Sequence, residues 1–150
     1  MKHLTLIALI LLSGCASMDA MPPEYSETTY IIPSTGSKAD LYKRSHQWAA
    51  ETFTGKHQAI NYADETSGKI IVAGLGTVTD VVTRYYRYTL TIDTKDDKAR
   101  MIFKDVEGRR IAGIHPPSFG LKSQRGQAFR HFDSLRMKLA TYLNHNKKDW

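Results

Sequence analysis

The stretch from residue 84 to 106, RYYRYTLTIDTKDDKARMIFKDV, decides the fold because its apolar and polar side chains alternate on both sides of a turn. The first half places four apolar residues on one side: Tyr86, Tyr88, Leu90 and Ile92. After the turn at Lys95-Asp96-Asp97, the second half alternates again, with Ala99, Met101 and Phe103 against Arg100, Ile102 and Lys104. Successive side chains of a strand point to opposite faces. The stretch therefore predicts antiparallel strands with one apolar face under helices and one mixed face.

Three further strands are predicted before this stretch. Residues 58–63 and 69–75 (KIIVAGL) flank a Ser67-Gly68 turn, which is a hairpin signal. Residues 28–32 (TTYII) are β-branched or aromatic and are stopped by Pro33, which indicates an edge strand because proline cannot donate to a ladder. Gly74-Leu75-Gly76 lacks the third glycine of a dinucleotide-binding loop and leads to β-branched residues rather than to a helix. We interpret it as a bulge or a strand end.

Two segments have helical periodicity. Ser37 stands three residues before Asp40, as in a capping box, and opens an amphipathic helix that ends near Gly55. Ser123 opens the last helix, whose apolar stripe consists of Ala128, Phe129, Phe132, Leu135, Leu139, Tyr142 and Leu143. The order is thus β-α-β-β-β-β-α. It predicts an α+β fold, a curved antiparallel sheet with two helices packed on one face, in a single domain over residues 28–146.

The first residues have the features of an export signal. A basic start at Lys2 is followed by the apolar run LTLIALILL over residues 4–12. This run is far shorter than the roughly 20 residues that cross a bilayer. Leu12-Ser13-Gly14-Cys15 then resembles the bacterial lipobox, which implies a signal peptide over residues 1–14, cleavage before Cys15 and a lipid on its sulfur. The alternative is an ordinary signal peptide with a chance cysteine.

Cys15 is the only cysteine of the chain, so an intramolecular disulfide is excluded. Residues 15–27 contain Pro22-Pro23 and no apolar periodicity, and we expect an acylated cysteine followed by a flexible tether. Ala16 stands where an aspartate would favour inner-membrane retention, so the expected location is the outer membrane, facing the periplasm, rather than the inner membrane. One of the 21 basic residues belongs to the leader, which gives the mature chain a formal charge of +5. Such an excess suits an anionic lipid or another acidic partner.

The domain itself resembles a known family. The similar residues are Leu41-Tyr42-Lys43 with Trp48 and Phe53, then DETSGKII at 64–71 and YTLTID at 88–93. They are similar to a bacterial family of domains of unknown function with a TATA-box-binding-protein-like (TBP-like) fold, and the match covers residues 30–106. The resemblance implies helices on a sheet and a secreted or lipoprotein setting. It implies no catalytic residues, and the name of the fold does not bring DNA binding with it.

The mixed face of the predicted sheet is the candidate binding surface. If the strands at 84–93 and 98–106 pair, one face carries Tyr85, Arg87, Arg100 and Lys104, with Ile102 among them. Aromatic and basic side chains on an open sheet can bind a peptide, a glycan or a lipid headgroup. The plainer interpretation is that the basic residues keep the face soluble. Arg109-Arg110 and the loop at His115-Pro116-Pro117 form a second candidate.

Catalytic motifs are missing from the sequence. The six histidines form neither an HExxH pair nor a Cys/His cluster, and no G-x-S-x-G elbow occurs, so no cofactor, metal site or catalytic residue is predicted. The favoured hypothesis is a membrane-anchored, non-catalytic binding module whose partner is an envelope protein, a glycan or an anionic lipid. The alternative is a periplasmic hydrolase-like enzyme built from dispersed residues. Nucleic acid is not an expected partner, because the chain is exported and has no basic run longer than two residues.

Overall fold

A computed structural model describes residues 27–79, 83–108 and 122–145 of the chain. They form five strands and two helices in the predicted order: β1 (Glu27–Pro33), α1 (Lys38–Thr52), β2 (Ala59–Asp64), β3 (Lys69–Thr79), β4 (Thr83–Lys95), β5 (Lys98–Gly108) and α2 (Lys122–His145). The predicted α+β class is confirmed. The leader, Cys15 and most of the tether lie outside the described residues, as does the loop with Arg109-Arg110 and His115.

All strands belong to one sheet in the order β1-β5-β4-β3-β2, and every neighbouring pair is antiparallel. Strands β2 to β5 follow one another as a meander. β1 lies at the far edge beside β5, which confirms the edge position that Pro33 predicts. Because β1 and β2 form opposite edges, the connection through α1 crosses the whole width of the sheet.

Helix α1 begins where the sequence predicts it. The Oγ atom of Ser37 accepts a hydrogen bond from the backbone N–H of Asp40 at 3.2 Å, which satisfies one of the free donors of the first turn. The Asp40 carboxylate in turn accepts from Arg44 at 2.6 Å, one helical turn later. The helix ends at Thr52, with Phe53 as its C-cap, and its buried side includes Trp48 and Ala49.

The turn between β2 and β3 is held by Asp64. Its carboxylate accepts hydrogen bonds from the backbone N–H groups of Thr66 at 2.9 Å and Ser67 at 3.2 Å. Gly68 has a φ of +72°, and a Cβ there would lie 2.8 Å from the carbonyl oxygen of Thr94. Glycine is therefore required both by the left-handed backbone and by the close approach of β4. The Ser67-Gly68 hairpin signal is confirmed.

The apolar face of the sheet is buried under α1 and α2. The ring of Phe103 on β5 stacks on that of Phe132 on α2, with centroids 4.3 Å apart. Tyr88 on β4 contacts Phe132 edge-on at 5.1 Å. The described side chains of this core include Ile70, Val72, Tyr86, Leu90, Ile92, Met101, Leu135, Leu139 and Leu143.

The interpretation of Gly74-Leu75-Gly76 as a bulge or a strand end is wrong. β3 pairs with β4 without interruption from Lys69 to Thr79, so both glycines lie in the strand interior. Gly74 is opposite Tyr88 and Gly76 is opposite Tyr86, and a Cβ at either glycine would lie 2.2 Å from the facing ring. The missing side chains make room for the two tyrosine rings on the buried face, a cross-strand relation that β3 alone does not reveal.

We predict that Gly74→Ala destabilises the fold. The new Cβ would collide with ring carbons of Tyr88 in a packed core, and such overpacking costs about 1–3 kcal/mol. The measurement is the free energy of unfolding from urea titration. Gly126→Ala is the matched control, because its Cβ would meet only Arg130 at 3.7 Å within α2. There alanine should stabilise the helix by up to about 1 kcal/mol. A Gly74→Ala protein as stable as the wild type would contradict the prediction.

Candidate functional site

The candidate site is the sheet surface that points away from both helices, which we call the open face. It carries the outward side chains of the strands, while their neighbours in sequence enter the core. Tyr85, Arg87, Arg100 and Lys104 all lie on this face and are exposed, Tyr85 with 40 % of its surface. The structure therefore brings the four predicted binding residues to one side of the sheet.

Four basic residues of the open face stand directly opposite an acidic residue on a neighbouring strand. The cross-strand partners are Arg100 and Asp93, Arg87 and Glu107, Lys104 and Glu27, and Lys69 and Asp64. Two of the pairs are ion pairs, since the guanidinium groups of Arg87 and Arg100 each lie 2.6 Å from the facing carboxylate. The open face is thus largely charge-balanced rather than a basic patch; Lys95 and Lys98 are the exception, since they face each other at the β4–β5 turn.

A row of uncharged side chains crosses the open face from one edge to the other. Cross-strand pairing joins Thr29 of β1 to Tyr62 of β2 through Ile102, Thr91 and Ile71. Tyr62 at one edge is 47 % exposed, and Ile31 beside the row at the other edge is 56 % exposed. Aromatic side chains such as that of Tyr62 are enriched at protein interfaces.

A hollow of about 520 Å³ opens on this face where β4 and β5 lose their regular register. The irregularity lies between Arg87 and Thr89, and Asp105 opposite it has a φ of +54°. The Arg87–Glu107 ion pair forms one wall, and the rest of the lining consists of His57, Ala73, Gly74, Leu75, Tyr88, Thr89 and Asp105. A bulge redirects side chains and is a common device at binding sites.

An ion pair forms one wall of the hollow. The Glu107 carboxylate accepts two hydrogen bonds from Arg87, from Nε at 3.1 Å and from Nη2 at 2.6 Å. Among the described residues, no three His, Cys, Asp or Glu side chains converge in a way that could hold a metal ion.

The most perturbed titratable groups lie on the other side of the sheet, in the core. The Nε2 atom of His131 on α2 is 3.2 Å from the hydroxyl of Tyr88. Burial, and after it the charge of Lys138, lowers the pKa of His131. Burial also raises the pKa of the Tyr86 and Tyr88 hydroxyls, so both stay protonated. Asp133, two residues after His131, faces away and binds Arg136 at 2.8 Å, as the helical spacing predicts.

Sequence reasoning missed the acidic partners, the uncharged row and the hollow. The acidic residues are visible in the sequence, but their relation to Arg87 and Arg100 depends on the strand register. For the hairpin of β4 and β5 a signal exists: Asp93 and Arg100 are equidistant from the Asp96-Asp97 turn. Lys104 and Glu27 belong to strands that are far apart in the chain, and no local signal pairs them.

Comparisons with known proteins place the domain in a fold and a family. The sequence model of a family described as "Domain of unknown function (DUF4468) with TBP-like fold" matches residues 27–108. A solved TBP-like protein from Parabacteroides distasonis has a TM-score of 0.70 at 12 % identity, covering 87 % of this chain and 99 % of its own. A solved DUF4468 family protein from Bacteroides ovatus has a TM-score of 0.65 at 15 % identity, covering 85 % and 91 %. No curated protein matches significantly.

We predict that the stability of the domain falls in mild acid because of His131. The neutral imidazole is the form that fits the core, so the unfolded chain binds a proton that the folded chain resists. The free energy of unfolding should therefore hold above the ordinary His pKa of 6.5 and decline as the pH falls below it toward the lowered pKa of the folded state. Urea titrations from pH 8 to pH 5 on the wild type and on His131→Gln measure the difference.

Tyr88→Phe is the control for this prediction. It removes the hydroxyl beside His131 and costs about 1 kcal/mol, but it keeps the residue buried. Since burial is the first cause of the shift, Tyr88→Phe should retain the decline in acid that His131→Gln loses. An equal decline in the wild type and in His131→Gln would show that His131 does not cause it.

Proposed function

The chain belongs to the family of domains of unknown function (DUF4468) with a TBP-like fold, and on the geometry of its open face we propose that it is a lipid-anchored, non-catalytic binding domain of the bacterial envelope. The proposal rests on the fact that the helices cover only one side of the sheet. Both helices pack on the same face, and the other face presents an uncharged row, paired charges and a hollow. The partner is an envelope component that meets this face.

The charges of the open face favour a protein as the partner. Basic and acidic side chains alternate across the strands, so the face matches a surface that also carries both signs. The exposed Tyr62, Tyr85 and Ile31 supply apolar contact area beside them. A nucleic acid would instead need a face of mostly basic residues, because phosphate contacts dominate its affinity. The exposed tyrosines also suit a glycan, which is the alternative outcome of the crosslinking test below.

The anchor is supported by the pattern at the start of the chain. The lipobox-like Leu12-Ser13-Gly14-Cys15 follows a basic start and an apolar run of signal-peptide length. Two or three acyl chains, palmitate among them, would hold the protein stably, because each buried CH₂ contributes about 0.8 kcal/mol. Ala16 favours delivery to the outer membrane. Within the described helices, none is long and apolar enough to cross a membrane.

We predict that the mature protein begins at Cys15 and carries lipid. Mass spectrometry of the protein purified from membranes should find a diacylglycerol thioether on Cys15 and an acylated amino group. Cys15→Ala should abolish the modification and release the protein from the washed membrane fraction. The matched control is Ser17→Ala, which leaves the lipobox and its cysteine intact. An unmodified Cys15 thiol in the mature protein would refute the anchor.

We predict that partners contact the open face rather than the helices. A photo-crosslinking amino acid in place of Tyr62 or Tyr85 should trap a discrete partner in intact cells. Met137 on α2 is the control position, because its exposure of 56 % is similar but it lies on the helix side. The triple variant Arg87→Ala, Arg100→Ala and Lys104→Ala should weaken the trapped band. Equal protein adducts from both sides, or none from the open face, would contradict the proposal.

A further inference from the structure

Helix α2 carries most of the net charge of the described domain. Between Lys122 and His145 the chain has five Lys or Arg residues and one acidic residue, Asp133, a formal excess of four. The other described residues contain eleven basic and ten acidic residues, an excess of one. The basic character of this protein is therefore a property of one helix and not of the candidate binding face.

Two exposed cations lie on the outward side of α2. Arg130 and Lys138 are exposed there, and neither forms an ion pair within the described part of the chain. Asp133, the one acidic residue of α2, forms an ion pair with Arg136. No acidic residue of the helix is therefore left to pair with Arg130 or Lys138. On the open face, by contrast, four basic residues each face an acid.

Apolar side chains accompany these two cations. Met137 lies next to Lys138 and is 56 % exposed, the highest value among the large apolar residues of the helix. Together with Phe129 and Tyr142, these residues line a wide, shallow depression of about 1070 Å³ along the helix. Basic residues around exposed apolar and aromatic side chains are typical of helices that lie in a membrane interface.

The length of the chain before β1 bears on what meets this surface. Eleven residues separate Cys15 from Glu27, and fully extended they span at most about 40 Å. If Cys15 is acylated, this tether keeps the domain within that distance of the bilayer at millimolar effective concentration. Electrostatic attraction to a membrane acts over only about 8 Å at physiological salt, so the charges matter only when α2 touches the headgroups.

We propose that the outward surface of α2 docks on the anionic phospholipid bilayer to which the chain is anchored. Arg130 and Lys138 contact lipid phosphates, and Met137 enters the headgroup region. Because α2 and the open face lie on opposite sides of the sheet, this docking points the open face away from the membrane and toward its partner. The proposal rests on the anchored domain proposed above and adds its orientation.

The test compares charge reversals on the two sides of the sheet. The full chain with Cys15→Ser, which cannot be acylated, is incubated with vesicles of phosphatidylcholine alone or with added phosphatidylglycerol. Binding is measured by co-sedimentation at low and high salt. The leader contributes equally in every variant, so the measured quantity is the ratio of the affinities for anionic and neutral vesicles.

Arg130→Glu with Lys138→Glu should lower this ratio by at least roughly 25-fold, because each basic residue near an anionic surface raises affinity about fivefold and the new carboxylates are repelled by it. The matched control is Lys95→Glu with Lys98→Glu, which changes the net charge equally. These two lysines are exposed at the β4–β5 turn, and their side chains point to the side of the sheet away from α2. The control should lower the ratio only a fewfold. Circular dichroism confirms that both variants fold.

Three outcomes would overturn the docking: no preference for anionic vesicles, an equal loss in both variants, or a trapped protein in place of lipid at position 137 in cells. Mass spectrometry tests the lipid anchor independently of the vesicle experiment. An unmodified Cys15 in mass spectrometry removes the anchored domain whatever the vesicles show. Acylated Cys15 with indifferent vesicle binding leaves the anchored domain standing and removes only the orientation.

Discussion

The ring of Tyr88 packs across Gly74, and much of the molecule depends on that contact. The ring fills the space that a side chain on β3 would occupy, since a Cβ at Gly74 would lie 2.2 Å from it. On its other sides it meets Phe132 of α2 at 5.1 Å and Phe103 of β5 at 5.7 Å. Its hydroxyl lies 3.2 Å from His131. One residue thereby connects three strands and the last helix, and its position requires a glycine on the strand beside it.

The inward-facing side chains of the strands enter this packing, and both helices cover that one side of the sheet. Because successive side chains of β4 and β5 point to opposite faces, the other side of the sheet carries Tyr85, Arg87, Arg100 and Lys104. The open face is therefore a direct consequence of how the core is built. Its hollow arises at the one place where β4 and β5 lose register, beside the ion pair of Arg87 and Glu107.

The open face and the outward side of α2 differ in charge, and they therefore suit different partners. On a sheet, side chains of neighbouring strands face one another about 5 Å apart, so unlike charges in register compensate each other and like charges repel. The outward side of α2 has no opposing strand, and within the described residues neither Arg130 nor Lys138 forms an ion pair. A balanced face suits a protein that carries both signs, whereas an uncompensated basic helix suits an anionic surface. The two surfaces can therefore be occupied at the same time.

The sequence by itself determined the features that depend on neighbours along the chain. These are the element order, the Ser37 cap, the Ser67-Gly68 turn and the alternation that separates the apolar face from the open one. Propensity, capping and periodicity act within a few residues, so a linear reading suffices for them. Only the tertiary structure placed Glu27 opposite Lys104 and Gly74 under Tyr88, because strand order and register are chosen by core packing between distant segments. For that reason the sequence predicted that the basic residues of β4 and β5 share one face, but it did not predict which acidic residues face them.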